Sequence, residues 1–290
     1  MTTSTSALDD LRRRIDQIDD QLHDLIMQRA EIVESVARAK KRSGIAAVRP
    51  GREAVLLRRL VERHRGRFPR TVLVRLWREL ISGAISLQGE FAVAVHAPGA
   101  IPDYWDLARD QYGSHMPMLA LHAAGEVLRA LSEGRAAVGV LPMPAEGESA
   151  PWWPLLTASG ASAPRVIARL PFAGRGNARG ESTDALVIGH AEFDPTGADR
   201  SFLAFEIQGE LSRARLIGAL NESGLAVTLF AAHTSDGTAA WNLVEIDDLV
   251  TVDDARLRKA LAPLGERVAR VTHLGAYARP LTPAALAGKS

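Results

Sequence analysis

The sequence predicts a multidomain protein with three parts: an all-α domain over residues 7–90, a small α/β lobe over 91–195, and an α+β unit of ferredoxin-like order over 198–280. Three patterns indicate this division. Apolar residues recur at helical steps of three and four near the start of the chain. Strands and helices alternate after residue 91. The order strand, helix, strand, strand, helix, strand closes the sequence.

The composition bounds the class of protein. The chain has 290 residues, of which 47% are hydrophobic and 24% charged, and this suits two or three domains with cores of their own. The absence of cysteine excludes disulfides, thiolate catalysis and cysteine-bound metal. No apolar run approaches the roughly 18 residues of a membrane span, and no signal-like apolar core opens the sequence. We therefore expect a cytoplasmic protein that binds neither membranes nor nucleic acid.

The first helix, expected from Ala7 to Lys41, carries charges where its apolar stripe would continue. The stripe consists of Leu8, Leu11, Ile15, Ile18, Leu22 and Leu25, and the same step reaches Arg29. Because burying a guanidinium without an anion costs several kcal/mol, Arg29 needs a carboxylate or an anionic ligand. Lys40 lies three turns further on, about 16 Å along the same face, so both could hold one small dianion. Arg12 is about 25 Å from Arg29, so it could reach that ligand only from a second copy of the chain.

Two more helices are predicted, over about 52–65 and from Pro69 to Gly89. Arg49 stands in the turn before the second helix, and Arg52 and Glu53 open that helix. On the third helix, Gln88 follows Ala84 by four residues and points towards the apolar side. A second polar group is therefore directed inwards.

Residues 7–91 resemble the all-helical chorismate mutase domain. The matching pieces are Leu11-Arg12, Gln28-Arg29, Ala39-Lys40, Arg52-Glu53, and Trp77-Arg78-Glu79-Leu80-Ile81 leading to Gln88. The resemblance implies three helices in an intertwined homodimer that converts chorismate, a small dicarboxylate, to prephenate without metal or cofactor.

The resemblance also implies a role for each polar residue. Lys40 and Gln88 would donate to the ether oxygen of chorismate, and Glu53 would accept from its ring hydroxyl. Arg29, together with Arg12 from the other subunit, would bind the two carboxylates, and Arg52 would help to position the substrate. Arg49 and Ala84 stand where many relatives have Asp and Ser, so each removes a possible polar contact.

The order of the whole chain resembles that of bifunctional chorismate mutase–prephenate dehydratases, whose last part is a regulatory ACT domain. Three dehydratase motifs are replaced in this chain, by Gly99-Ala100-Ile101-Pro102, Pro144-Ala145-Glu146 and Thr183-Asp184-Ala185. We therefore expect a degenerate lobe without dehydratase activity. In the ACT-like unit, Ala231-Ala232-His233-Thr234 replaces the family's Glu-Ser-Arg-Pro. This favours another effector, or a purely structural pairing, over feedback by phenylalanine.

Two alternatives stay open on the sequence alone. One is a non-catalytic regulatory protein that uses its ACT-like surface to bind an effector or an enzyme of aromatic biosynthesis. The other is a working bifunctional mutase and dehydratase. The tandem Trp152-Trp153 is expected to pack within a loop rather than to bind a ligand.

Overall fold

The computed structural model describes residues 2–43, 48–99, 103–158, 163–174, 184–191, 193–234 and 240–287. Its contacts divide the chain into two compact units. Unit 1 comprises residues 1–47 and 83–90, and unit 2 comprises residues 48–82 and 91–290. The predicted domain boundaries near residues 90 and 195 stay predictions.

Unit 1 is dominated by one long helix. Helix α1 spans Thr2–Ser43, 42 residues, which corresponds to about 63 Å. It begins five residues before the predicted Ala7, because residues 2–6 extend the first turns. The predicted apolar stripe is on the surface of the single chain: Ile15 is 57% exposed, Leu25 60% and Ile32 65%. The stripe is therefore not covered by any part of the single chain that the structure describes.

Two helices of unit 2 pack on the end of its sheet. Helix α2 spans Pro50–Arg63 and begins with proline, whose missing N–H costs nothing at the first helical position. Helix α3 spans Arg70–Ser86, and its last residues belong to unit 1. Together they bury an apolar cluster formed by Ala54, Leu57, Val61, Val74, Phe172 and Ala278.

A single nine-stranded sheet forms the body of unit 2, in the order β2-β1-β3-β5-β4-β9-β6-β8-β7. Its strands are β1 Val93–His96, β2 Met118–Leu121, β3 Val138–Pro142, β4 Arg165–Leu170, β5 Ala185–Gly189, β6 Asp199–Ile207, β7 Val227–Thr234, β8 Ala240–Ile246 and β9 Val268–Ala278. Helices α4 (Asp103–Tyr112), α5 (Ala124–Ser132), α6 (Leu155–Ala158), α7 (Arg213–Glu222), α8 (Ala255–Leu261) and α9 (Pro283–Ala287) complete the unit, with a short 3-10 turn at Gly265–Arg267.

The first part of the sheet is a parallel α/β arrangement, as expected. Strand β1 pairs in parallel with both β2 and β3, and the antiparallel β5 and β4 follow. Two described elements of this part of the chain were not predicted. Strand β2 has only four residues with no fully buried side chain, and α6 has only four residues, so neither shows a clear apolar period.

The last part of the sheet has the predicted order of elements, βαββαβ. Strands β6 and β8 lie at its centre, between β9 and β7, and all pairs are antiparallel. Helices α7 and α8 cover one face through Leu216, Leu220 and Leu257. The sequence also predicts a turn at Asp236-Gly237 between the two middle strands of this order, and these two residues lie outside the described ones.

The two parts of the sheet share one core and one polar network. Trp152 and Trp153 are buried in a cluster that includes residues of both parts, which confirms their predicted packing role. Strand β4 meets β9 in parallel at Val166 and Gly275. Beside this junction the Glu245 carboxylate is only 2% exposed, and it accepts hydrogen bonds from Tyr277, Thr228 and Arg200. Burial and this carboxylate raise the pKa of the Tyr277 phenol above its usual value.

Candidate functional site

Three predicted site cations lie on α1, in unit 1. Arg12 is exposed, and its Nη1 donates to Asp9 Oδ1 at 3.3 Å. Arg29 is half-buried, and this loss of solvent lowers the pKa of its guanidinium from the ordinary value. Arginine stays charged at physiological pH, and its guanidinium is weakly hydrated. Arg29 is therefore a partly desolvated cation on the surface of α1. The Lys40 backbone is helical, and its side chain lies outside the described residues.

Gln88 and Ala84 lie at the end of α3, also in unit 1. The amide Nε2 of Gln88 donates to the carbonyl oxygen of Ala84 at 2.9 Å. The amide carries two N–H groups, so one donor remains after this bond. Its Oε1 is buried and has no hydrogen-bond partner among the described residues. Leaving a buried acceptor without a donor costs about 1–3 kcal/mol.

Glu53 lies in unit 2, where it pairs with an arginine of α3. Arg78 Nη1 donates to Glu53 Oε2 at 2.9 Å, and the side chains are 6% and 13% exposed respectively. Burial lowers the pKa of Arg78, whereas the Glu53 carboxylate raises it. The phenol of Tyr112 lies near both groups, and burial raises its pKa. The predicted acceptor is thus held in an almost completely desolvated ion pair.

The two remaining arginines of the predicted site differ in their surroundings. Arg49 Nε donates to Asp194 Oδ2 at 2.9 Å, and a second N–H of the same guanidinium donates to Oδ1. This two-point geometry is the strongest that an arginine and a carboxylate form. Gly51 lies against the same segment, because a Cβ at this position would be 2.9 Å from the Cβ of Asp194. Arg52, by contrast, is exposed.

The predicted residues are thus divided between the two units. Unit 1 contains Arg12, Arg29, Lys40, Ala84 and Gln88, and unit 2 contains Arg49, Arg52 and Glu53. Sequence reasoning did not assign a role to Arg78. The sequence nevertheless contained a signal for this residue. The apolar residues Val74, Ile81 and Ile85 lie at helical spacing from position 78, which places Arg78 on their side of α3, and all three are buried.

Within the described residues, no group of three or more acidic or histidine side chains could hold a metal ion. Across the same residues, no helix has the length and apolar character needed to cross a membrane.

Comparison with known proteins bears directly on the three helices. Residues 11–89 match the family model "Chorismate mutase type II". The predicted resemblance of this segment is therefore confirmed, and we refer to residues 11–89 as the mutase segment.

Some of the similar proteins also align with parts of the chain outside the mutase segment. A bifunctional chorismate mutase/prephenate dehydratase of Pseudomonas aeruginosa is 32% identical over 146 aligned positions, covering 48% of this chain and 40% of that protein. A protein of the same description from Neisseria gonorrhoeae is 24% identical over 349 aligned positions, covering 92% of this chain and 95% of its own length. A solved prephenate dehydratase from Arthrobacter aurescens, in complex with L-Phe, is 13% identical with a TM-score of 0.48, covering 67% of this chain and 93% of its own. The match to the first of these spans less than half of that protein.

Proposed function

We propose that this protein is a chorismate mutase, an isomerase of aromatic amino acid biosynthesis. The observation that carries the proposal is the mutase segment, which contains every residue predicted for the site. Five of them supply the charges and hydrogen bonds that a small dicarboxylate needs: Arg12, Arg29, Lys40, Glu53 and Gln88.

The reaction suits such a set of residues because it is intramolecular. The ether C–O bond of chorismate breaks while a new C–C bond forms, so no nucleophile, proton donor or metal is required. The enzyme must hold the compact conformer and stabilise the negative charge that grows on the ether oxygen. Arg29, with Arg12 of a second copy, would bind the carboxylates through the guanidinium fork. Lys40 and the free N–H of Gln88 would donate to the ether oxygen.

We propose further that the active form is a homodimer. Helix α1 exposes a continuous apolar stripe over most of its length, and such a surface in a single chain indicates a protein partner. The stripe repeats at helical steps, so a second α1 would cover it by side-chain packing along the helix. The same arrangement would bring Arg12 of one copy to the Arg29 of the other.

The test is the loss of chorismate absorbance with purified protein, with the product trapped as phenylpyruvate by acid. Lys40→Ala should abolish turnover without dissociating the dimer, because it removes a cation from the ether oxygen. Lys41→Ala is the matched control, since it removes the same charge about 100° around the helix. Full activity of Lys40→Ala in a folded dimer would contradict the proposal.

A second candidate is a non-catalytic regulatory protein of the same pathway. Two observations favour it: Arg49 is engaged by Asp194, and the residues at 231–234 depart from the phenylalanine-binding pattern. Folded protein that is inert towards chorismate but binds an amino acid or an enzyme of the aromatic pathway would support it. The dehydratase-like lobe is tested separately, with prephenate as the substrate at neutral pH and without the acid step, because acid alone converts prephenate to phenylpyruvate. We expect no phenylpyruvate, and its formation would instead indicate a bifunctional enzyme.

A further inference from the structure

The Glu53–Arg78 pair joins α2 and α3 within the mutase segment. Arg78 is 6% exposed on the buried side of α3, and Glu53 is 13% exposed in the first turn of α2. Neither charge is stable in such surroundings without the other, because removing one partner of a buried pair typically costs several kcal/mol. The position of the Glu53 carboxylate therefore depends on Arg78.

Arg78 is in turn held by the segment that follows β4. Its guanidinium lies over the ring of Phe172, 5.2 Å from the centroid, within the range of a cation–π contact. Phe172 is buried with Ala278, at the end of β9, and its carbonyl accepts from the N–H of Leu281 at 2.7 Å. A continuous series of contacts thus runs from Glu53 through Arg78 and Phe172 to the end of the sheet.

We propose that Arg78 is a positioning residue for the mutase reaction, which directs the carboxylate of Glu53 and is itself aligned by Phe172. The inference rests on the proposed function, since it concerns the carboxylate expected to accept from the ring hydroxyl of chorismate. It assigns the α/β part of the chain a role in mutase catalysis that does not require dehydratase activity. The competing interpretation is that the pair only stabilises unit 2.

The two interpretations differ in the effect of pH on the mutase reaction. Arg78 of α3 and the Tyr112 hydroxyl of α4 face the carboxylate. Along the chain, Arg52 precedes Glu53 on α2, and Arg49 lies just before that helix. Replacing Arg78 by an apolar residue leaves a buried carboxyl without its cation, which raises the pKa of Glu53. A protonated Glu53 no longer accepts from the ring hydroxyl in the same way. Activity should then increase with pH through a range where the parent protein is constant.

The experiment measures kcat and KM for chorismate between pH 5.5 and 8.5. The variants are Arg78→Met, Arg78→Lys and Phe172→Leu. Arg75→Met is the matched control, because Arg75 lies one turn earlier on α3 and is also paired with a carboxylate, that of Asp110, but is 43% exposed. We expect Arg78→Met to lower kcat by about 100-fold at pH 6, as misplaced catalytic groups do, and to recover in part at pH 8. Arg78→Lys should restore a flat profile, and Phe172→Leu should lower kcat more than it raises KM.

The outcomes separate this inference from the proposed function. An active parent with an Arg78→Met variant of equal kcat and flat profile would overturn the inference and leave the mutase assignment intact. An inactive parent would overturn both. Should Arg78→Met fail to fold, Arg78→Lys and Phe172→Leu decide, because each keeps a filled core. Parental kcat and profile in both would overturn the inference, and a lowered kcat in Phe172→Leu beside an unchanged Arg75→Met would support it.

Discussion

The junction between β4 and β9 makes Gly275→Ala a demanding test of the fold. Gly275 has a φ of 133°, a conformation that side-chain-bearing residues rarely adopt. It faces Val166 across the one pair of residues that aligns the two strands. A Cβ at Gly275 would be 2.8 Å from the carbonyl carbon of Val166, and closer still to the nitrogen and oxygen of that residue. Ordinary contact begins near 3.4 Å, so one strand has to move.

The expected loss of stability follows from two contributions. The unfavourable φ costs about 1–2 kcal/mol for a residue with a Cβ. Displacing the backbone strains a core in which Val166 and Leu274 are each 2% exposed, and such overpacking costs about 1–3 kcal/mol. The sum, roughly 2–5 kcal/mol, is a large fraction of the stability of a typical domain.

Thermal unfolding followed by tryptophan fluorescence measures this loss, because Trp152, Trp153 and Trp241 lie in the core that the junction completes. We expect the Tm of Gly275→Ala to fall by roughly 10 °C. Gly218→Ala is the control, since Gly218 lies inside α7 and a Cβ there meets no atom within 4 Å. It should instead gain about 0.5–1 kcal/mol from the higher helix propensity of alanine. A Tm of Gly275→Ala within 2 °C of the parent would refute the reasoning.

Two further predictions concern pH and assembly. Burial, and then the charge of Arg165, lower the pKa of His273 to about 4, and its buried Nε2 has no hydrogen-bond partner in the described structure. The unfolded chain takes up this proton near pH 6.5, so the stability due to the neutral imidazole is complete above that pH. This stability, about 3 kcal/mol, is lost as the pH falls towards 4. Urea unfolding at pH 7 and 4.5 should show a smaller drop in the free energy of unfolding for His273→Gln than for the parent. Equal drops in the two proteins would contradict the assignment. In the stripe of α1, Leu22→Glu should convert the proposed dimer to monomer in sedimentation velocity, because it places a charge in an apolar interface. Gln21→Glu should not, because Gln21 lies outside the stripe.

The sequence was most informative where the chain is periodic. The step of three and four along α1 predicted both the helix and its apolar stripe, because a helical face repeats whether or not its partner is present. The order βαββαβ was likewise readable, since each strand and helix is long enough to show its own pattern. Strand β2 and helix α6 were missed because four residues contain too little of either period.

In the candidate site too, the sequence predicted some features and left others to the tertiary structure. Position within a helix predicted that Arg29 and Gln88 would be turned away from water, and both are half-buried. It could not predict what Arg49 and Glu53 contact. Arg49 meets Asp194, 145 residues away, and Glu53 meets Arg78 on another helix. Both had been assigned to the substrate pocket by resemblance, and that assignment stays a prediction.

The sequence by itself determined the mutase segment, its polar residues and the order of strands and helices, because these depend on local periodicity and on motifs a few residues long. Only the tertiary structure decided that Glu53 neutralises the buried Arg78, and that strands distant in the chain join into one sheet through Val166 and Gly275. Electrostatic partners and strand neighbours are set by distance in space. A buried charge needs an opposite charge beside it because burial removes its water. The packing of the helices and strands decides which residue that partner is.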